Sequence, residues 1–414
     1  MMAHRTAQRL RRFLLAAASC GVIAAFFPFA SPASASAAEA SAETASPAKA
    51  AAGPADALRQ MHDLPVDSIE RYWNDLLNEY GGYFPERKAP GLTDMLAGGN
   101  GFSFADAARG LIRFLFHEIL YNGKLLVTIV VITVFGMLLE TIQSAFERQA
   151  VSKVAYAVSY IVLVIIAVNS FHVAIGYARN AIDSMIHFMV AMVPLLLTLL
   201  ASLGNVVTVT VLHPLIVFMI HTVGTLIYTI VFPLLFFSAV LHIVSSLTDK
   251  YKVTQLANLL RSISVGLLGF VLAVFLGVIS VQGATSAAMD GVTIRTAKYI
   301  AGNFVPVVGR MLADATDTVM TASLLVKNAI GLAGVIIIVM LCAFPALKII
   351  AMALIYNLSA AVLQPLGDSP IIACLQTIGK SLIYVFAAVA AVGLMFFLAI
   401  TIMITAGNIT VMMR

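Results

Sequence analysis

The chain contains 65 consecutive residues, 184–248, without a single aspartate, glutamate, lysine or arginine. As an α-helix rising 1.5 Å per residue, this stretch would be about 97 Å long. A bilayer has a hydrocarbon core about 30 Å thick, which about 20 apolar residues can cross, so the stretch is long enough for three crossings. We expect breaks between the crossings at Gly204-Asn205 and near Gly224. This one feature predicts a membrane protein.

The composition of the whole chain agrees with that prediction. Hydrophobic residues make up 61% of the 414 residues and charged residues only 11%, whereas soluble domains are about one quarter charged. A disordered chain is excluded too, because such chains are polar and rich in charge. The sequence predicts an all-α, polytopic helical membrane protein with about nine spans (seven to nine). Besides the three crossings in the uncharged stretch, spans are expected at residues 125–143, 154–174, 262–282, 329–345, 348–363 and 382–406.

The first 37 residues have the three parts of a secretory signal peptide. Four arginines precede an apolar stretch, and small residues near Ala35 and Ala37 suit a signal peptidase. An uncleaved first membrane helix is the alternative. Residues 38–57 are a low-complexity tether of alanine, serine, proline and glutamate, which cannot form a core.

Residues 58–124 read as an exported amphipathic segment. Apolar residues including Trp73 and Tyr80 recur at helical spacing before Gly81-Gly82, and a second helix begins after Ser103. The two helices would form a small docking module or lie along the bilayer surface.

Export of this segment sets the orientation of the spans that follow. Membrane helices 1–6 fall within residues 125–282, a polar or amphipathic connecting segment within 283–328, and helices 7–9 within 329–414. The basic residues near positions 148–153 and 250–261 then face the cytoplasm, as the positive-inside rule favours. Residues 283–328 carry four basic residues and fall outside in this arrangement, so a re-entrant path is the alternative for them.

No enzyme motif survives inspection, and we expect no catalysis, cofactor or metal. Gly379-Lys380-Ser381 resembles the end of a phosphate-binding loop, but the required earlier glycine is Cys374. His117-Glu118 begins a zinc-protease pattern that Tyr121 interrupts. Removing the leader arginines leaves 21 basic residues against 20 acidic ones, so charge gives no support to nucleic-acid binding.

Polar residues in the apolar tracts are the candidate functional groups. Interhelical hydrogen bonding is favoured over a proton or metal path for Glu140, Asn169, His172, His187, His213, His221 and His242. A second set has the form of a transport site, polar groups that interrupt apolar segments, although a solvated loop with helix caps explains it equally well. These candidate pore or partner-contact residues are Asp314, Asp317, Thr318, Lys327, Asn357, Gln364 and Asp368.

Six short strings stand out in the C-terminal half of the chain. They are Asn303-Phe304-Val305-Pro306-Val307-Val308-Gly309-Arg310, Ala313-Asp314-Ala315-Thr316-Asp317-Thr318, Leu324-Leu325-Val326-Lys327-Asn328, Phe344-Pro345-Ala346-Leu347-Lys348, Gln364-Pro365-Leu366-Gly367-Asp368 and Ile404-Thr405-Ala406-Gly407-Asn408. In their identity and order they resemble the stage III sporulation protein AE family of endospore-forming bacteria. The leader, the exported helix at residues 73–82 and the spacing of the spans fit the same family, so the resemblance covers nearly the whole chain after the tether.

The resemblance implies a subunit of a channel or secretion-like complex that joins mother cell and forespore and sustains late forespore gene expression. It implies a place in the mother-cell membrane around the forespore, with the N-terminal segment facing the intermembrane space. The implied partners are other stage III A-series proteins, including a secretion-type ATPase, and stage II sporulation protein Q, besides membrane lipid. It assigns no chemistry to individual residues.

Two other functions are compatible with the residues. A self-sufficient secondary transporter would carry a small solute by alternating access, and it predicts internal repeats that we do not find. A non-conducting scaffold would only recruit partners, chiefly through residues 58–124. The sequence does not separate a pore from a scaffold.

Overall fold

The computed structural model describes residues 67–83, 104–145, 150–247, 253–304, 308–367 and 369–412. All of them fall in one compact unit of the chain, Ala52–Arg414. Every regular element in these ranges is a helix. The predicted signal peptide, its cleavage positions Ala35 and Ala37, and the tether lie outside the described residues.

The helices fall into a short N-terminal group and a group of long apolar helices. The first group consists of α1 (Asp67–Tyr80), a 3-10 turn (Gly81–Tyr83), α2 (Phe104–Tyr121) and α3 (Gly123–Ala145). The second consists of α4 (Ala150–Ser202), α5 (Val206–Leu226), a π-helical segment (Ile227–Val231), α6 (Phe232–Leu247), α7 (Thr254–Phe304), α8 (Val308–Leu363), a 3-10 turn (Gln364–Leu366) and α9 (Pro370–Met412).

The predicted fold class, an all-helical polytopic membrane protein, is confirmed. In the described ranges, five helices are long and apolar enough to cross a membrane, and the pair α2–α3, bent by 43°, gives a sixth candidate. The count of about nine spans is not confirmed. The five candidate spans are Ala157–Ser202, Val206–Ser246, Thr254–Thr293, Ser323–Leu363 and Pro370–Ala406.

The number of candidate spans is lower than predicted because apolar segments predicted as separate spans belong to one helix. The runs at 329–345 and 348–363 are both part of α8, which continues through Pro345. Neighbouring helices can satisfy the carbonyl that a proline leaves unpaired, so a proline does not have to end a membrane helix. The run at 154–174 likewise continues into the uncharged stretch as α4.

One of the two predicted breaks in the uncharged stretch is found and the other is not. α4 ends at Ser202, and Gly204 adopts φ of 82°, a left-handed conformation that glycine adopts without strain. Near Gly224 the chain instead stays helical through the π segment. That segment includes Tyr228, whose hydroxyl donates to Asp183 Oδ1 at 2.7 Å.

The segment predicted to connect spans 6 and 7 is helical wherever it is described. Residues 283–304 continue α7, and α8 begins at Val308.

The long helices α4, α8 and α9 lie side by side, with α8 antiparallel to both neighbours. The Tyr356 hydroxyl of α8 donates to Ser170 Oγ of α4 at 2.8 Å, while Gly334 of α8 lies against the Met192 side chain. These positions are 22 residues apart on each helix but in opposite directions. Antiparallel packing of these helices therefore forms much of the buried core.

Candidate functional site

Most of the predicted site residues lie on α8 or at its C-terminal end. Asp314, Asp317 and Thr318 belong to its N-terminal part, but their side chains are not among those described. Gln364 is exposed in the 3-10 turn that follows the helix, and Asp368 lies outside the described residues. The proposed roles of these residues therefore remain predictions.

Lys327 is fully buried and bonded to the C-terminal part of α9. Its ammonium Nζ donates to the Ile404 carbonyl oxygen and to Asn408 Oδ1, both at 2.8 Å. The Ile404 carbonyl lies eight residues before the end of α9 at Met412, so the ammonium bonds to the side of this helix and not to its terminal carbonyls. The two strings that carry Lys327 and Asn408, far apart in sequence, are thus in contact.

Asn357 lies against α9 at the other end of α8. A Cβ atom added to Gly379 would be 2.7 Å from Asn357 Oδ1 and 2.8 Å from its Cγ. The amide of Asn357 therefore occupies the space that any other residue at position 379 would fill.

Lys327 and Asn357, two predicted residues of α8 whose side chains are described, do not lie at one site. Lys327 and Asn357 are 30 residues apart on the continuous helix α8, which corresponds to about 45 Å. The two side chains are therefore too far apart to act on the same ligand or partner group.

The intramembrane histidines and asparagine lie mainly on outer faces. Asn169 and His172 are exposed, as are His187, His213 and His221, whereas His242 is half-buried. Asn169 and His172 line a groove of about 440 Å³ together with Val164, Ile165, Val168 and Phe236. Among the described side chains, no three ligating groups come close enough together to hold a metal ion.

A buried polar cluster at the α4–α5 break was not predicted from the sequence. Asp290 of α7 is 1% exposed, and its carboxylate accepts the backbone N–H groups of Val207 and Thr208, both at 2.9 Å. These are the second and third residues of α5, whose N-cap is Asn205. Asp290 therefore caps a helix that begins more than 80 residues earlier in the chain.

Because Asp290 takes these two N–H groups, the side chain of Asn205, the N-cap residue of α5, does not cap the helix. An N-cap asparagine ordinarily accepts from the same two N–H groups, but the Asn205 side chain makes no such bond. Asn205 is 1% exposed, and within the described part of the chain its Oδ1 and Nδ2 have no partner, nor does the buried Thr208 hydroxyl. The Gly-Asn break was visible in the sequence, but the distant acidic partner was not.

The N-terminal helix α1 is attached to the long helices by an aromatic cluster. Tyr80 stacks on Phe344 of α8 with ring centroids 3.8 Å apart, and Phe114 of α2 meets both rings edge-on. Trp73 of α1 is also buried, and Tyr72 meets Phe188 of α4 edge-on. The cluster fixes α1 and α2 midway along α8.

Lys348 supplies the charged part of this attachment. It is the one charged residue between Lys327 and Asp368 in the sequence. Its Nζ lies 3.9 Å from Glu79 Oε1, 5.6 Å from the centroid of the Tyr80 ring and 5.5 Å from that of Tyr177. An acidic residue and an aromatic ring of α1 therefore face the one cation in the middle of α8.

Burial in this cluster raises the pKa of two tyrosines of α1. Burial, with the hydrogen bond to Glu79 and that residue's charge, raises the pKa of Tyr80 well above its usual value. Burial and the charge of Asp75 raise the pKa of Tyr72. Both phenols therefore remain neutral at physiological pH.

Comparison with known proteins gives one family. The family described as Stage III sporulation protein AE matches residues 89–407. The Stage III sporulation protein AE of Bacillus subtilis (strain 168) is 54% identical over 358 residues, which cover 86% of this chain and 90% of that protein. No solved structure matches the chain.

Proposed function

Because the chain belongs to the stage III sporulation protein AE family, we propose that it is an integral membrane subunit of a mother-cell-to-forespore channel. This secretion-like complex would sustain late forespore gene expression, and the chain would contribute membrane helices but no catalysis. Family membership supports a role in sporulation, and the apolar helices support a place in a membrane.

The attachment of α1 is the observation that carries this proposal. Its inner face is held by Trp73, Tyr80 and Lys348, whereas its outer face presents Asn74, Asp75 and Asn78 to solvent. A polar face on a firmly attached helix suits contact with a partner outside the bilayer. This face would connect the membrane helices to soluble domains of the complex.

Family membership also supports a proposal about the partners and the location of the chain. The partners would be other stage III A-series proteins, a secretion-type ATPase that supplies energy, and stage II sporulation protein Q. The chain would lie in the mother-cell membrane around the forespore, with residues 58–124 in the intermembrane space after removal of residues 1–37.

A second candidate, a self-sufficient transporter of a small solute, is favoured by the α4–α5 break. Interrupted membrane helices with buried polar groups are typical of transport sites, and Asn205, Thr208 and Asp290 form such a group. Uptake by the purified chain alone in liposomes would establish this alternative, and its loss in Asp290→Asn would assign the site.

Complementation of a Bacillus subtilis deletion strain tests the main proposal. The chain would be expressed in a strain that lacks its own stage III sporulation protein AE, and heat-resistant spores and a late forespore reporter would be counted. We expect both to be restored. A chain that accumulates in the membrane at the normal level and restores neither would contradict the proposed role.

A matched pair of variants tests whether α1 matters in the same strain. Asp75→Arg changes the outer polar face of α1, and Thr285→Ala changes an exposed hydroxyl on α7 that bonds only to its own helix. We expect the first to lower spore yield with normal accumulation and the second to have no effect. Equal yields would remove α1 as a partner-contact element.

A further inference from the structure

The outward face of α2 combines large apolar side chains with two arginines. Ile112 is 56% exposed, Phe116 62% and Leu120 78%, and they follow one another at intervals of four residues. Arg109 and Arg113 are exposed on the same side of the helix, because residues three or four apart share a helix face. A face this apolar is unfavourable in water.

The opposite face of α2 is fixed, so the outward face cannot turn inward. Phe114 is 3% exposed within the aromatic cluster, and Ala107 is also buried. Buried Glu118 accepts from the Asn122 amide, both at its backbone oxygen and at Oε1, with distances of 2.9 Å. Burial of Ala107, Phe114 and Glu118 on this one side fixes the rotation of α2 about its own axis.

The apolar surface continues from α2 into α3. The two helices meet at a 43° bend around Asn122. Beyond the bend, the outer side of α3 is a row of exposed apolar residues, which are Val127, Val131, Phe135 and Leu138. α3 is an apolar helix of 23 residues, long enough to cross the hydrocarbon core, so this row is suited to contact with lipid.

We propose that the outward face of α2 lies in the headgroup layer of an anionic bilayer, with its arginines on lipid phosphates. Leu120 adjoins the start of α3 and therefore lies nearest the acyl chains. Arg113 is seven residues farther out, about 10 Å along the helix. The bend of 43° reduces this to about 8 Å along the axis of α3, and the headgroup region is about 5–8 Å thick on each side, so Arg113 lies at the level of the phosphates.

Charge selects the kind of lipid. Arginine forms bidentate hydrogen bonds with phosphate oxygens, and basic residues at a membrane surface favour anionic lipids. The Arg109 side chain is 71% exposed even while its Nη1 donates to Asp106 at 2.8 Å, so it can also reach a phosphate. α2 is thus an interfacial helix that fixes the depth at which α3 enters the bilayer.

Fluorescence quenching in proteoliposomes tests this placement. The full-length chain carrying Phe116→Cys would be labelled with an environment-sensitive dye, in the background Cys20→Ser/Cys342→Ala, because Cys342 is only partly buried whereas Cys374 is fully buried. We expect quenching by nitroxide on lipid acyl chains and little quenching by aqueous iodide. The matched control is Asn74→Cys on the polar face of α1, for which we expect the reverse.

The lipid class is tested by comparing phosphatidylglycerol with phosphatidylcholine vesicles. We expect nitroxide quenching of the Phe116 probe to be at least twofold greater in phosphatidylglycerol, and the difference to disappear in Arg109→Gln/Arg113→Gln. Iodide quenching equal to that of the Asn74 probe would overturn the proposal and indicate a face covered by protein in the cell. Equal nitroxide quenching in both lipids would overturn the assignment to anionic phosphate.

Discussion

Replacing Asp290 with alanine tests the capping of α5 by a distant helix. The change removes both acceptors of the Val207 and Thr208 N–H groups, which are 2.9 Å from the carboxylate oxygens. Two buried donors at a helix N-terminus then lose their partners. We expect a lower free energy of unfolding.

The expected loss is about 3 kcal/mol. A hydrogen bond to a charged group contributes about 1.5–3 kcal/mol, so the two bonds together contribute about 3–6 kcal/mol. Capping of the vacated N–H groups by the idle Asn205 amide restores about 1 kcal/mol, as an N-cap does. With an unfolding entropy of about 2.1 cal/mol/K per residue, the chain would melt about 3–4 °C lower.

A thiol-reactive dye measures this melting in detergent, because Cys342 is partly buried and Cys374 fully buried until the fold opens. Thr293→Ala is the matched control, since it removes an exposed hydroxyl that bonds only to its own helix α7. The control should melt within 1 °C of the unaltered chain, about the range expected for a neutral surface change.

A double-mutant cycle separates the two caps. Asn205→Ala alone should be nearly neutral, because the Asn205 amide is unpaired in the described structure. In the Asp290→Ala background the same change should cost about a further 1 kcal/mol, because it removes the substitute cap. Equal melting of Asp290→Ala and the unaltered chain would refute a stabilising role of the carboxylate. Additive effects would refute the exchange of caps.

Three further outcomes are expected. Asn408→Leu should cost about 1–3 kcal/mol of unfolding free energy, because it takes one of two acceptors from the buried Lys327 ammonium. Lys327→Met should cost less, because it removes the buried charge and leaves only the neutral Asn408 amide without this partner. Dye-monitored melting checks the order. Gly379→Ala should cost about 1–2 kcal/mol by crowding Asn357, and Asn357→Gly should restore the melting temperature of that variant. The pKa of Tyr80 is raised in the folded state, so Tyr80 should stabilise the attachment of α1 below the unfolded pKa of about 10 and progressively less above it. As the pH rises above about 10, the fluorescence of Trp73 should shift to the red. The same shift should be absent in Tyr80→Phe.

Local features of the sequence predicted the helical class and one of its breaks. Long uncharged runs can only be membrane helices, and Gly204-Asn205 interrupts the helix because glycine accepts the left-handed conformation. Pro345 misled the span count, because neighbouring helices decide whether a proline ends a helix, and neighbours are not visible in a local pattern.

Contacts between distant parts of the chain were not predictable in this way. Lys327 was recognised as a candidate because a charge in an apolar tract is costly, yet its acceptors lie 77 and 81 residues away. Asp290 was assigned to a polar connecting segment and not considered as a cap. Its role depends on the packing of α7 beside α5, and a single sequence does not report that packing.

The length of α8 has a practical consequence for handling the protein. Its apolar portion, Ser323–Leu363, has 41 residues and is about 61 Å long. Even at a tilt of about 40°, near the upper limit for membrane helices, it extends about 47 Å along the bilayer normal, well beyond a hydrocarbon thickness of about 30 Å. A detergent micelle sized for an ordinary span leaves the rest of this apolar surface exposed to water. Long-chain detergents or co-expressed assembly partners should therefore give the more monodisperse preparation.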